Sequence, residues 1–382
     1  MTKRHHEPLF TILKRTSTSK WKAIVLRIVI ILVTFIVSMI ICSLVAKENL
    51  TDILDTFFKG AIARPWKLAL DACLLLGFGI AIVPAFKMRY WNMGANGQVI
   101  VATLISIVIM YYTEKFALAS KSNNWFIIAL MFVSSIIVSV IWTVIPALFK
   151  VFFKTNETLF NLMMNYIAAG LVAYTNFALA KGKKEAQDVT LLNEGGWLPY
   201  VISGKFNSSY LVSIIVILLL TLFVYFYMNK TKHGYEVTVV GDSAPTARYV
   251  GMNTKLIVIR TMILNGIICG IIGFLYASAI NHSMNPNMCG SLGFTAVLIA
   301  WLSNFNPIMM ILVSFGLAFL TTGTSKVSSV YRFGNSDIAN VIIGLMFFAI
   351  LVSEFFVRYH VRANFKFFTP KKEVQSWLYH LL

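Results

Sequence analysis

The side chains with binding chemistry in this sequence are amides and aromatic rings. The stretch "WNMGANGQ" (Trp91–Gln98) sets Trp91, Asn92, Asn96 and Gln98 together and threads two glycines among them. Asn161 and Asn165 are four residues apart, which on a helix is one face. Tyr166 follows directly, and Asn265 and Phe294 stand further along the chain. An amide presents both donors and acceptors, which suits a neutral ligand rich in hydroxyls or ring nitrogens. A ring adds a stacking face for a base or a sugar. Any one of these Asn residues could instead hold two helices together, a bond worth about 0.6 kcal/mol inside a membrane. As a cluster they could offer a polar ligand its partners.

Redox, metal and proton chemistry have no comparable footing. Cys42, Cys73, Cys269 and Cys289 lack metal-ligand spacing, and three of them lie inside apolar runs, so they supply neither a metal site nor a disulfide framework. Lys67 and Asp71 are four apart and could pair on one helix face. No His/Asp/Glu or Ser/His constellation falls deep within the apolar segments, which speaks against a membrane-embedded enzyme and against a proton or sodium relay.

The segments that carry these residues are built for a bilayer. The chain has 382 residues, 58% of them hydrophobic and 13% charged, with a mean hydropathy of +0.75. A soluble domain is about 25% charged. The run Ala23–Ala46 alone is long enough to cross, which takes about 20 residues. The net charge of +18 does not indicate nucleic acid, because Lys and Arg gather in short loops beside apolar runs, the signature of membrane topology.

The pattern predicts an all-α polytopic membrane protein of about ten transmembrane helices, over 23–46, 67–86, 98–112, 125–148, 157–180, 209–228, 256–280, 291–304, 306–325 and 337–357. Segment 291–304 is short for a full crossing. The excess of Lys and Arg on the side of both termini predicts that side to be cytoplasmic. The organisation is then a basic cytoplasmic N-terminus (1–22), a membrane domain (23–357) and a basic cytoplasmic tail (358–382). Its two long connections are an external loop (181–208) and a cytoplasmic loop (229–255). "WNMGANGQ" and "NPNMCGSLGF" (Asn285–Phe294) each open an apolar segment with a Pro/Gly-rich interruption. Broken backbone at membrane depth is tolerated only where it lines a cavity or is buried in protein. Paired breaks of opposite sense suggest re-entrant segments and an inverted repeat around a central site.

Within the cytoplasmic loop, "GDSAPTARYVG" reads as one short helix with marked ends. Asp242 or Ser243 can cap it, Pro245 suits the first turn, and Gly251 suits a left-handed stop. About seven residues cannot hold a helix alone in water. Ala244, Ala247 and Arg248 give a small-residue face with one charge, better suited to a groove on a protein partner than to lipid.

These stretches resemble the permease subunits of ATP-binding-cassette importers, in the superfamily that moves branched-chain amino acids, ribose and nucleosides. The loop matches the pattern G-x-x-x-x-x-x-G-x-x-x-x-x-A-x-x-x-G at Gly234, Gly241, Ala247 and Gly251. "WNMGANGQ" is similar to N-[IM]-G-x-E-G-Q, with Asn96 standing where the family usually has Glu. "NETLFNLMMNYIAAG" (Asn156–Gly170) is similar to N-E-x-x-x-x-L-M-x-N-Y-I-A, and "GFTAVLIAWLSNFNP" (Gly293–Pro307) to a further family segment. The resemblance implies that Gly234, Gly241, Ala244, Pro245, Ala247, Arg248 and Gly251 serve contact with a separate ATPase subunit. It implies import of nucleosides, purine nucleosides first, through the bacterial inner membrane. It also implies a second homologous permease and an extracytoplasmic substrate-binding lipoprotein as partners. A permease for a monosaccharide such as ribose is the alternative within the family, and an ion-coupled secondary transporter the alternative outside it. No G-x-x-x-x-G-K-[ST] phosphate loop occurs. The chain is therefore expected to bind no cofactor and to catalyse nothing itself, with ATP on the partner subunit.

Overall fold

The computed structural model describes residues 10–14, 20–115, 125–179, 189–190, 196–198, 208–331 and 337–363. In chain order its elements are β1 (Phe10–Lys14), α1 (Lys20–Ala46), α2 (Leu50–Ile62), α3 (Pro65–Lys87), α4 (Ala95–Lys115), α5 (Trp125–Phe153) and α6 (Glu157–Leu179). There follow β2 (Val189–Thr190), α7 (Ser208–Lys230), α8 (Lys232–Asp242), α9 (Ala244–Tyr249) and α10 (Thr254–Leu275), which runs on as a π-helical turn, Tyr276–Ile280. The chain closes with β3 (Ser283–Met284), α11 (Leu292–Leu302), α12 (Pro307–Val330), α13 (Asp337–Arg358) and β4 (Tyr359–Ala363).

The chain divides into two compact units, Met1–Leu54 with Ser328–Leu382, and Asp55–Val327. In the first, α1 packs on α13 and β1 pairs antiparallel with β4, from Phe10 opposite Ala363 to Lys14 opposite Tyr359. The two ends of the described chain therefore lie side by side. The second unit holds every predicted site residue.

In the second unit α10 is central, packed on α3, α4 and α5. A Cβ at Gly266 or Gly270 would stand 2.7 Å from the Cα of Val140 or of Ile136 on α5. Small residues on one helix face let two backbones approach this closely, and that dispersion packing replaces the hydrophobic drive that lipid removes. On α6 the buried residues Glu157, Asn161, Met164, Ala168, Val172 and Asn176 recur every three or four positions, one stripe of a helix. The opposite face presents Leu159, Met163, Ile167 and Phe177, large and exposed, as a lipid or partner face requires.

Helices occupy all ten segments expected to cross, as an all-α polytopic membrane protein requires. Seven helices among the described residues are long and apolar enough to span a membrane, and eight if the pair Leu32–Ala46 and Leu50–Ile62, bent by 114°, is one span. The segment expected at 291–304 is the 11-residue α11, about 16 Å at 1.5 Å per residue. It is preceded by a string of turns from Asn285 to Leu292, closed by Met288 N–H to Asn285 O and Leu292 N–H to Cys289 O. Asn176, near the end of α6, holds the start of these turns by donating to Met284 O at 3.2 Å. The far end of α11 reaches the last turn of α3, where Trp301 meets Trp91 and Trp91 meets Phe86.

Two helices were not anticipated. α2 is amphipathic, with Ile53, Phe57 and Ala61 buried and Asp55 and Lys59 paired at 2.7 Å on its exposed side. α8 fills much of the cytoplasmic loop with regular helix. Of the external loop only 189–190 and 196–198 are described: β2 pairs with β3, and Trp197 stacks on His282 with centroids 4.0 Å apart. The rest of 181–208, most of 1–22, and 364–382 lie outside the described residues.

Candidate functional site

After α3 ends at Lys87 the chain does not return to helix until Ala95. Arg89 takes the left-handed conformation at φ 61. Arg89 N–H donates to Phe86 O and Tyr90 N–H to Ala85 O, both at 2.9 Å, so the reversal is tight. Beyond it the N–H groups of 93–97, ahead of and in the first turn of α4, have no helical carbonyl to bond, and a buried unpaired peptide group costs about as much as a lost hydrogen bond.

Amides close that account. Asn92 Oδ1 accepts from Gly94 N–H at 3.0 Å. Asn92 and Gln98 face each other as a reciprocal amide pair, Gln98 Nε2 donating to Asn92 Oδ1 at 3.2 Å and Asn92 Nδ2 to Gln98 Oε1 at 3.4 Å. Asn165, on α6, bridges the break: its Oδ1 accepts from Gly97 N–H and its Nδ2 donates to Met93 O, each at 2.8 Å. Asn96 reaches the second interruption, donating from Nδ2 to Gly290 O at 3.0 Å and accepting at Oδ1 from Gly293 N–H at 2.8 Å. Asn161, one turn before Asn165, donates to Glu157 O at 2.8 Å, and Glu157 is tied to Lys150 at 2.7 Å.

The glycines fit this cradle because a side chain would not. A Cβ at Gly94 would lie 2.8 Å from Asn161 Oδ1, 3.1 Å from Asn92 Oδ1 and 3.2 Å from Gln98 Nε2. At Gly97 it would lie 2.9 Å from the Asn165 backbone. The structure thus gathers Asn92, Asn96, Gln98 and Asn165 around the broken backbone, with most of their hydrogen bonds directed to it or to each other, while Asn161 lies beside Gly94 but bonds to its own helix, its Oδ1 without a partner among the described residues. Asn265, fully buried on α10, joins through Cys269, whose Sγ lies 3.3 Å from Asn265 Oδ1 and 3.4 Å from Gln98 Oε1. Asn265 Nδ2 has no hydrogen-bond partner among the described residues. Buried polar groups left this way are few and call for an explanation such as a water or a bound molecule.

The aromatic candidates are placed differently. Trp91 is exposed and meets Phe86 and Trp301 edge-on, with centroids 5.3 and 5.6 Å apart. Phe294 is exposed at the start of α11. Tyr166 is 78% exposed on the outer face of α6 and is not brought to the network. Trp301 and Cys269 were not singled out from sequence. Trp301 falls seven residues after Phe294, a helical repeat that could have flagged it, but nothing marked Cys269 out from an ordinary buried thiol.

At the cytoplasmic loop, α9 is six residues long and capped as expected, with Ser243 Oγ accepting from Thr246 N–H at 3.3 Å and Gly251 at φ +81. Its faces differ from the small-residue surface expected: Ala247 is fully buried, while Pro245, Arg248, Tyr249 and Val250 are exposed, Tyr249 by 93%. Ala247 seats the helix on this chain, and Ala244 is only half-exposed. Behind it, α8 is capped by Thr231, whose Oγ1 accepts from Gly234 N–H at 3.2 Å. The buried stripe of α8 is Gly234, Val237, Val240 and Gly241. A Cβ at Gly234 would strike the carbonyls of Tyr227 and Met228, and one at Gly241 the carbonyl of Lys87. Arg260, on α10, holds Glu236 at 2.7 Å, and that hydrogen bond keeps the Glu236 carboxyl below its usual range. No group of three or more His, Cys, Asp or Glu able to hold a metal occurs among the described residues.

The chain is similar to several transport proteins. It is 25% identical over 297 residues to the glucose ABC transporter permease protein TsgB13 of Haloferax volcanii, covering 75% of this chain and 76% of the relative. It is 24% identical over 249 residues to the guanosine ABC transporter permease protein NupP of Bacillus subtilis, covering 64% and 69%. It is 21% identical over 251 residues to the nucleoside ABC transporter permease protein NupB of Lactococcus lactis, covering 64% and 67%. No solved structure matches. The model for branched-chain amino acid transport system permease components matches residues 68–351, a range that takes in the broken segment, the amide network, the capped loop helix and α11. The chain, a multi-pass membrane protein, belongs to that permease family.

Proposed function

We propose that this chain forms the translocation pathway of an ATP-binding-cassette importer for nucleosides, with purine nucleosides as first candidates. Hydrolysis takes place on a separate ATPase subunit that docks at α9, on the cytoplasmic side, where both termini also lie. The observation that carries the reading is the amide-braced break beside an exposed aromatic face. Trp91 and Trp301 pack together and, with Phe294, are exposed near the break, while its amides are buried and mostly bonded to backbone or to each other, leaving Asn161 Oδ1 and Asn265 Nδ2 as the polar atoms without a partner among the described residues. Such a surface suits a molecule with one flat face and several hydroxyls or ring nitrogens. The similarity to guanosine and nucleoside permeases supports the same choice. The missing components are a second permease, which would cover the aromatic face, and a substrate-binding lipoprotein on the outer side.

The similarity to a glucose permease favours one second reading, a monosaccharide passenger. Uptake of labelled guanosine into cells expressing the full transporter, competed by unlabelled adenosine, guanosine, ribose and glucose, separates the two. Competition by nucleosides alone supports the first reading. Competition by sugars alone replaces it with the second.

A further inference from the structure

We propose that α8 is a rigid strut that carries motion from the docking helix to the broken segment, and that Gly241 is the point at which it bears on that segment. The proposal rests on the reading that an ATPase grips α9. α8 runs directly into α9 through a single residue, Ser243, which caps the one helix and closes the other. Its other end is fixed to α7 by the close seat of Gly234 against the Tyr227 and Met228 carbonyls. Its flank is fixed to α10 by Glu236 and Arg260. At the α9 end, Gly241 lies against the backbone of Lys87 and Met88, the last residues before the break, and a Cβ there would stand 3.2 Å from the Met88 Cα as well as striking the Lys87 carbonyl.

From that contact there is little slack to the amide network. Arg89 and Tyr90 are bonded back to α3, Tyr90 is buried, Asn92 N–H donates to Tyr90 O at 3.0 Å, and the Asn92 side chain is already part of the network. A backbone-to-backbone seat transmits displacement where a flexible side chain would absorb it, because packed interiors are stiff. Movement of α9 would therefore reach Asn92 and Gln98 through Gly241, Met88 and Tyr90. Asn96 would pass it on to Gly290.

The test reads accessibility of the break rather than transport. The cysteines at 42, 73, 269 and 289 are buried, so Trp91→Cys in the complete transporter, reconstituted with its ATPase, supplies the reactive thiol. Its alkylation rate is measured without nucleotide and with ATP plus vanadate. The expected result is a change of about tenfold on trapping nucleotide, the scale of a real population shift. That response should fall to within about twofold in Gly241→Val while the ATPase remains bound and active. Should Gly241→Val not assemble, Glu236→Gln, on the half-buried side of α8, is expected to weaken the response at least twofold. A full nucleotide response in both variants overturns the proposal, as does a Gly241 parent that binds its ATPase and shows no response. Failure of any ATPase to associate is a different result, which removes the importer reading and this proposal with it.

Discussion

Asn96 is bonded across the molecule to Gly290, 194 residues later, and so ties the two interruptions of the chain into one structure. With Gly293 N–H on its oxygen and Gly290 O on its nitrogen, the amide uses a donor and an acceptor at once. A carboxylate could keep only the first. Asn96→Asp is expected to retain the Gly293 bond and orphan the Gly290 carbonyl, lowering stability by about 1–3 kcal/mol. Asn96→Leu loses both and should cost more. Thermal unfolding of the purified permease in detergent checks the order.

Asn165 and Trp91 should separate stability from recognition. Asn165→Leu leaves Gly97 N–H and Met93 O unsatisfied, at about 1–3 kcal/mol each, and is expected to lower the unfolding temperature and the amount of folded protein. Trp91→Ala removes an exposed ring and is expected to weaken passenger affinity with little change in unfolding temperature. Uptake kinetics run beside thermal unfolding distinguish the two, and an Asn165→Leu protein of normal stability would deny the bracing role.

The glycines rank themselves by what surrounds them. Gly97→Ala meets backbone and should be severe, whereas Gly94→Ala meets the tips of three side chains that can shift. Gly170→Ala, with nothing within 4 Å, should be neutral or gain up to about 1 kcal/mol from helix propensity. Expression level and unfolding temperature of the three variants provide the check.

On α9, exposure predicts which residues a partner can touch. Tyr249→Ala and Arg248→Glu are expected to reduce ATPase co-purification and uptake without destabilising the permease. Ala247→Glu would bury a charge, at a cost of several kcal/mol, and should lower the amount of permease itself. Quantifying permease and ATPase separately in the same membranes tells the two effects apart.

The pair Glu236–Arg260 has a defined pH signature. Arg260 depresses the Glu236 carboxyl, so its stabilising contribution is fully present above the ordinary carboxylate value of about 4.3. The contribution is lost as pH falls through the depressed folded-state value. The difference in unfolding temperature between wild type and Glu236→Gln should close in acid below the ordinary carboxylate value, with His233, 3.6 Å from the same carboxylate, adding to it wherever that ring is charged.

The helices were legible in the sequence because length and apolarity alone demand them. The capped ends of α9 were legible from Ser243, Pro245 and Gly251. α8 was not, for a physical reason: "KHGYEVTVVGD" is rich in β-branched residues and carries two glycines, poor material for an isolated helix. It is helical because those glycines let it seat on α7 and on the end of α3. The amides were recognisable as a group, but their partners were not. Nothing local announces that Asn96 will meet Gly290, or that Asn165 will straddle Met93 and Gly97, since those pairings exist only once the helices have assembled.

The ribbon formed by β1 and β4 has a topological corollary. Five residue pairs join the two ends of the described chain, an arrangement that predicts an even number of crossings. Reporter proteins fused at either end should then give the same compartment readout. With its ends stitched, the polypeptide is also close to a closed ring, and a circular permutant joined there and reopened in the external loop should still insert.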